Sequence, residues 1–389
     1  MSVKKSNILY SALFIYLVAA SFVNQDIYAF TVRYDSLLIF IVLFILVLPH
    51  LKEDIKNKDA DLIMAFATAA LSVLFVLITR SGYGAALIPS DLALVCYASK
   101  RLKLTDNSVL CLSFAGACPV ILWYSHVRWS YNFNMAGFAF MLMAYFGMIL
   151  VEEAGDRYGI KYRGFIKAVI FITAFILSML YHSRTAMFGM AVFFIVYMLY
   201  GVISANKWLY RILFILATVG AVAFTAVYIM LASNAGNITL LYKDVFSGRE
   251  AIWRELWGAL LNSPVTGIGS AYELKSFEIF EVHNGMFDIL TVHGIPVFAL
   301  VTVLMYRMFE RVRHHIAKPH TASGSTTQAA GLPKACQTYR IALSAAFSMM
   351  FTSYFENYFT VPPYSIFFMT FILIAGEPRD NGGAAKGFD

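Results

Sequence analysis

The chain has 389 residues, 60% of them hydrophobic and only 14% charged, with a mean hydropathy of +0.68, which excludes a water-soluble globular domain and reads as an integral membrane protein. Its formal charge of +7 comes from Lys and Arg dispersed between apolar runs rather than gathered on one patch, so nucleic-acid binding is not called for.

Backbone amides in lipid must find partners within the protein, so membrane spans are helices or closed barrels. The apolar runs here are uninterrupted and lack the strict alternation of a barrel, predicting an all-α integral membrane fold. In chain order the stretches are 8–23, 36–49, 62–79, 83–98, 107–124, 133–151, 165–182, 185–203, 210–231, 286–306, 340–355 and 362–376, or about twelve transmembrane helices. Lys4 and Lys5 precede the first stretch and Ala19, Ala20 and Ser21 close it, as in a signal peptide, but the further spans downstream favour a retained first helix. Asp91 in the fourth stretch and Glu356 after the eleventh are costly charges at membrane depth and are expected to face a cavity.

Twelve crossings with both termini inside place 22 of the 30 Lys and Arg on the cytoplasmic side, as the positive-inside rule requires. The eight left outside are Arg33, Arg80, Arg128, Arg184, Lys243, Arg249, Arg254 and Lys275. The chain thus divides into nine helices over 1–231, an outward loop over 232–284, three helices over 285–376 and a cytoplasmic tail over 377–389. His314, His315 and His320 lie in an inward basic segment that suits anionic lipid better than a metal. Cys96, Cys111, Cys118 and Cys336 show neither a disulfide framework nor metal-ligand spacing, and no phosphate-binding loop, dinucleotide fingerprint or zinc-protease signature is present.

The outward loop carries four of the eight outward basic residues and is long enough to require a reason. VFSGREAIWRELWGALLNSP predicts a helix within it: Ser247 and Glu250 form a capping-box pattern, Trp253, Leu256, Trp257, Leu260 and Leu261 an apolar stripe, and Asn262, Ser263 and Pro264 a stop. Such a helix lies on the membrane or on the bundle. Glu250 and Arg254 have the spacing of a helical ion pair. Arg249 is less ordinary, a cation in the first turn on the apolar side, where it could combine with backbone N–H groups to hold an anion. Arg184, in a very short outward turn after His182 and Ser183, is either a lipid-headgroup anchor or a second anion ligand.

The tenth stretch opens on HNGMFDILTVHGI at 283–295. Asn284 suits an N-cap, Asp288 sits one turn in, and His293 lies beside Gly294 and Pro296, where a kink and a bond to a neighbouring helix are expected.

SRTAMFGM at 183–190, GREAIW with SPVTGIGS at 248–270, and HNGMFDILTVHGI together resemble the successive motifs of the O-antigen polymerase and O-antigen ligase superfamily. The residues carrying the resemblance are Arg184, Arg249, Trp253, Gly267, Gly269, His283, Asn284 and Gly294, in the family's order over about 115 residues. The resemblance implies a GT-C-like membrane glycosyltransferase of the bacterial inner membrane, working at the periplasmic face without metal or other cofactor. Its substrate would be an undecaprenyl-pyrophosphate-linked oligosaccharide, and a chain-length regulator would be a possible protein partner. A polymerase, the favoured reading, moves the growing glycan onto a new lipid-linked repeat; a ligase moves it onto lipid A-core. A lipid-linked oligosaccharide flippase is the non-enzyme rival, disfavoured by the concentration of unusual residues in one outward loop.

Breaking a sugar–phosphate bond requires a base for the acceptor hydroxyl and cations for the departing pyrophosphate. By resemblance and chemistry His283 is the expected base, Arg184 and Arg249 the pyrophosphate ligands and Arg254 a third cation. Asn284, Asp288 and Glu281 are expected to support them.

Overall fold

The computed structural model describes residues 3–23, 33–122, 133–234, 239–240, 243–244, 248–275, 282–317, 334–361 and 364–376. Ser247, Glu281, Arg128, His320 and the tail over 377–389 lie outside the described residues.

Each of the twelve apolar stretches overlaps a helix among the described residues. In order these are α1 (Val3–Val23), α2 (Asp35–Lys56), α3 (Ala60–Thr79), α4 (Tyr83–Ala98), α5 (Asp106–Ala117) continued by α6 (Pro119–Leu122), α7 (Phe133–Tyr158), α8 (Arg163–Leu180) and α9 (Arg184–Ala205). A single long run follows, α10 (Lys207–Ile215), a π-helical turn (Leu216–Gly220) and α11 (Ala221–Asn234). Two antiparallel two-residue strands, β1 (Thr239–Leu240) and β2 (Lys243–Asp244), lead to α12 (Arg249–Asn262), then α13 (Gly285–Ala317), α14 (Lys334–Thr352) and α15 (Ser365–Gly376). Among the described residues eight helices are long and apolar enough to cross a membrane, and three shorter apolar helices accompany them.

The core lies around α15, whose residues are all buried. A helix that is apolar on every side is stable only when enclosed, and α1, α4, α7 and α14 supply that enclosure. Phe14, Phe138, Phe146, Phe367 and Phe371 interlock there with ring centroids 4.3 to 6.1 Å apart. By contrast α8 turns Phe165, Ile172 and Leu180 outward, as a lipid-facing helix does.

At the ends of several helices basic residues are neutralised within the protein. Buried Asp61 accepts from Arg311 at 2.8 Å and also from Arg307, tying α3 to α13. Asp54 holds Arg101 and Tyr97, and Glu152 holds Lys167. Asp59 caps α3, accepting from the amides of Asp61 and Leu62. Partial burial opposes its ionisation, but Lys100 and those two amides prevail and hold its carboxyl below the ordinary carboxylate range.

Candidate active site

The loop helix α12 forms where expected and stops at Asn262, but its start differs. Gly248, with φ 85°, is the N-cap, rather than a serine side chain as in the predicted capping box. The helix lies on the bundle. Trp253 is fully buried against Phe224 and Tyr228 of α11, its Nε1 donating to Val282 O at 2.6 Å. Trp257 stacks near Phe287 and donates to Thr225 Oγ1 at 2.8 Å. The apolar stripe ends at Leu260; Leu261 is 75% exposed, because it falls past the side that faces α11 and α13.

The segment after α12 returns to the bundle and pairs with a break in α13. Gly294 has φ 74° and ψ 176°, interrupting the helix where the kink was expected. Proline at 296 has no N–H for Val292 O, and the break frees Thr291 O from Ile295 N. The loop satisfies all three freed groups: Ile268 N donates to Thr291 O (2.8 Å), Gly269 N to Val292 O (3.2 Å), and Ile295 N to Pro264 O (2.9 Å). Two backbones approach this closely only without side chains. A Cβ on Gly294 would lie 2.1 Å from Val265 O, and one on Gly267 2.4 Å from Val292 O. The Gly-x-Gly turn is therefore a docking element for α13, with the α3–α4 turn holding its far side through Ser81 Oγ and Ser270 N at 2.8 Å.

This docking fixes the opening of α13. Asn284 is the N-cap, its Oδ1 accepting from Phe287 N at 2.9 Å, as the sequence suggested. Its Nδ2 donates to Ala221 O at 2.9 Å, at the end of the π-helical turn in the long α10–α11 run. A π turn displaces carbonyls from the regular ladder, which often happens at functional sites. Leu216 O, at the start of the same turn, accepts from Tyr354 Oη at 2.7 Å. One turn thus anchors both the segment bearing His283 and the segment bearing Glu356.

Glu356 is the centre of the arrangement. Its buried carboxylate accepts from Arg249 Nη2 and Asn134 Nδ2 through Oε1, each at 2.8 Å, while Oε2 lies 3.4 Å from His283 Nδ1. His283 is half-exposed and adopts φ 52°, a left-handed conformation that few non-glycine residues take without being held there. Arg184 opens α9 one turn before Phe188, whose ring packs edge-on against Phe355, next to Glu356. Along α11, Ala221, which receives Asn284, lies twelve residues, or about 18 Å, from Ser233.

The remaining expected residues divide. Arg254 is exposed and donates to Ser233 Oγ at 2.8 Å instead of pairing with Glu250, because the helix turns it toward the end of α11. Asp288 is half-buried one turn into α13, and Thr291 Oγ1 donates to its carbonyl. His293 is buried, and its Nδ1 has no hydrogen-bond partner among the described residues. Asp91 is buried close to Thr360 and Ser365. Glu356 drew attention in the sequence only as an expensive charge; its partners come from α7 and α12 and from the segment before α13, which no local pattern connects.

The fold and site define a multi-pass helical membrane protein with a cationic and imidazole-bearing polar centre toward one end of its bundle. Comparison with known proteins makes the assignment more particular: residues 169–302 match the family described as O-antigen ligase, which supports placement in the O-antigen ligase and polymerase superfamily. The matched segment contains Arg184, Arg249, Arg254, His283, Asn284 and Asp288, whereas Asn134 and Glu356 lie outside it. No curated protein and no solved structure matches the chain. The family match supports an O-antigen ligase or polymerase type of function, in which members are glycosyltransferase-like, without separating the two.

Proposed function

We propose that the protein polymerises undecaprenyl-pyrophosphate-linked oligosaccharide repeats, at the periplasmic face of an inner membrane that it crosses twelve times with both termini inside. The observation that supports this best is the meeting of Arg249 and His283, from separate elements, on the single carboxylate of Glu356. A base and an anion ligand side by side are what glycan transfer from a lipid pyrophosphate needs.

In the proposed reaction the acceptor hydroxyl gives its proton to His283 Nε2 as its oxygen bonds to the anomeric carbon of the donor glycan. The anomeric carbon–oxygen bond to phosphate breaks, and undecaprenyl pyrophosphate leaves with the electron pair. Arg249 and Arg184 hold the charge of that leaving group, with guanidinium geometry suited to phosphate oxygens. Arg254 has the weaker claim, since its side chain is exposed and directed to Ser233. The chemistry of these residues involves no metal.

The test is complementation of a deletion strain. His283→Ala and Arg184→Ala should abolish polymer at unchanged protein abundance, while Arg254→Ala should leave most of it. Normal chain length in His283→Ala would remove the base from the mechanism. Loss of the parent gene should leave lipid A-core bearing one repeat; bare core with accumulated lipid-linked polymer would assign the ligase reaction instead.

A further inference from the structure

Glu356 makes unequal contacts. Its bonds to Arg249 and Asn134 are 2.8 Å, the length of a full charge-assisted hydrogen bond, whereas its approach to His283 Nδ1 is stretched to 3.4 Å. The carboxylate therefore neutralises the same guanidinium that the proposed reaction needs for pyrophosphate. A phosphate group arriving at Arg249 brings more charge and more acceptor oxygens than the single carboxylate oxygen now bound there. The carboxylate cannot remain beside that phosphate, because like charges at hydrogen-bond distance disfavour each other. Of the described groups around Glu356, His283 Nδ1 is the one it approaches without full hydrogen-bond contact, and so the one on which it can close.

We propose that an incoming pyrophosphate displaces Glu356 from Arg249 and that the displaced carboxylate closes on His283, so that anion binding itself prepares the base. The proposal rests on the glycan-transfer reading of the site. A carboxylate on Nδ1–H selects the tautomer whose basic nitrogen is Nε2 and stabilises the imidazolium formed when Nε2 takes the acceptor proton. The exchange itself moves no proton and breaks no covalent bond. The backbone around Glu356 stays fixed: Tyr354 Oη is held on Leu216 O and Tyr358 Oη donates to Asn134 O at 3.0 Å, so the shift is one of side-chain torsions. Glu356 is then a positioning residue that links donor occupancy to the state of His283.

The experiment uses the full-length protein in detergent without divalent cations, with inorganic pyrophosphate as the calorimetric probe. Glu356→Gln keeps the side-chain shape and removes the competing charge. It should bind pyrophosphate about tenfold more tightly than the parent, yet turn over a lipid-linked glycan about tenfold more slowly, with no rise in KM. A merely structural role for Glu356 would weaken binding and turnover together. Pyrophosphate binding that is unchanged or weaker in Glu356→Gln overturns the exchange. Should that variant not elute as a single species, Asn134→Ala replaces it. Loss of the second donor to Oε1 should also tighten pyrophosphate binding, and weaker or unchanged binding there is equally fatal. If the parent transfers no glycan while Glu356→Gln binds pyrophosphate more tightly, the exchange stands and the transfer reading falls. If transfer is found without tighter binding, the reverse holds.

Discussion

Gly294→Ala should destabilise the protein more than its size suggests, because the residue serves two backbones at once. Its φ of 74° with ψ near 176° is a region that essentially only glycine occupies, and placing another residue there costs about 1–3 kcal/mol. The added methyl would also sit 2.1 Å from Val265 O, so the loop must withdraw. Withdrawal removes the three bonds that satisfy the break in α13, each worth roughly 0.5–1.5 kcal/mol net. The total is on the order of 3–7 kcal/mol, comparable with the whole stability of many domains. The assay is thermal: heat the purified protein in mild detergent and measure the fraction that still elutes as a single species. Gly258→Ala is the contrast, since Gly258 is exposed in the middle of α12 with nothing near its missing Cβ, and alanine there should help by about 0.5–1 kcal/mol. Gly267→Ala attacks the same contact from the loop side, so the double variant should be little worse than either single one. A Gly294→Ala protein melting with the parent, or a Gly258→Ala protein melting below Gly294→Ala, would refute the docking account.

Trp253→Ala should cost about 3–5 kcal/mol, because it empties a fully buried site and orphans Val282 O; limited proteolysis should then cut within 232–284 faster than in the parent. Acid should act through Asp59. Its carboxyl is held below the ordinary value in the folded protein, so its stabilising contribution is complete above the unfolded value of about 3.9 and is lost as pH falls below it. Asp59→Asn should therefore lower the melting temperature at pH 7 and leave a smaller further drop between pH 5 and 3 than the parent shows. An equal drop in both would discount the Lys100 and amide contacts.

The helical character, the places of the apolar helices, the loop helix and its stop, the kink at Gly294 and the Asn284 cap were all legible in the sequence. Each depends on neighbours within a few residues: apolar run length, helical spacing, a missing proline N–H, a side chain that reaches the third amide onward. The family resemblance was legible for the same reason, since its motifs are short and ordered along the chain. The Gly-x-Gly turn could be seen but not understood, because the carbonyls it satisfies belong to a different helix.

What only the tertiary structure decided was who meets whom. Arg249 and Arg254 sit five residues apart on α12, and sequence assigned both to one leaving group; packing sends Arg249 to Glu356 and Arg254 to Ser233. Glu356 read as an isolated expense at membrane depth, yet Asn134, Arg249 and His283 converge on it from distant positions in the chain. The physical reason is range. Helix propensity and capping act over a turn, whereas the compensation of a buried carboxylate depends on whichever donors the packed bundle brings within 3 to 4 Å, and no local period encodes that.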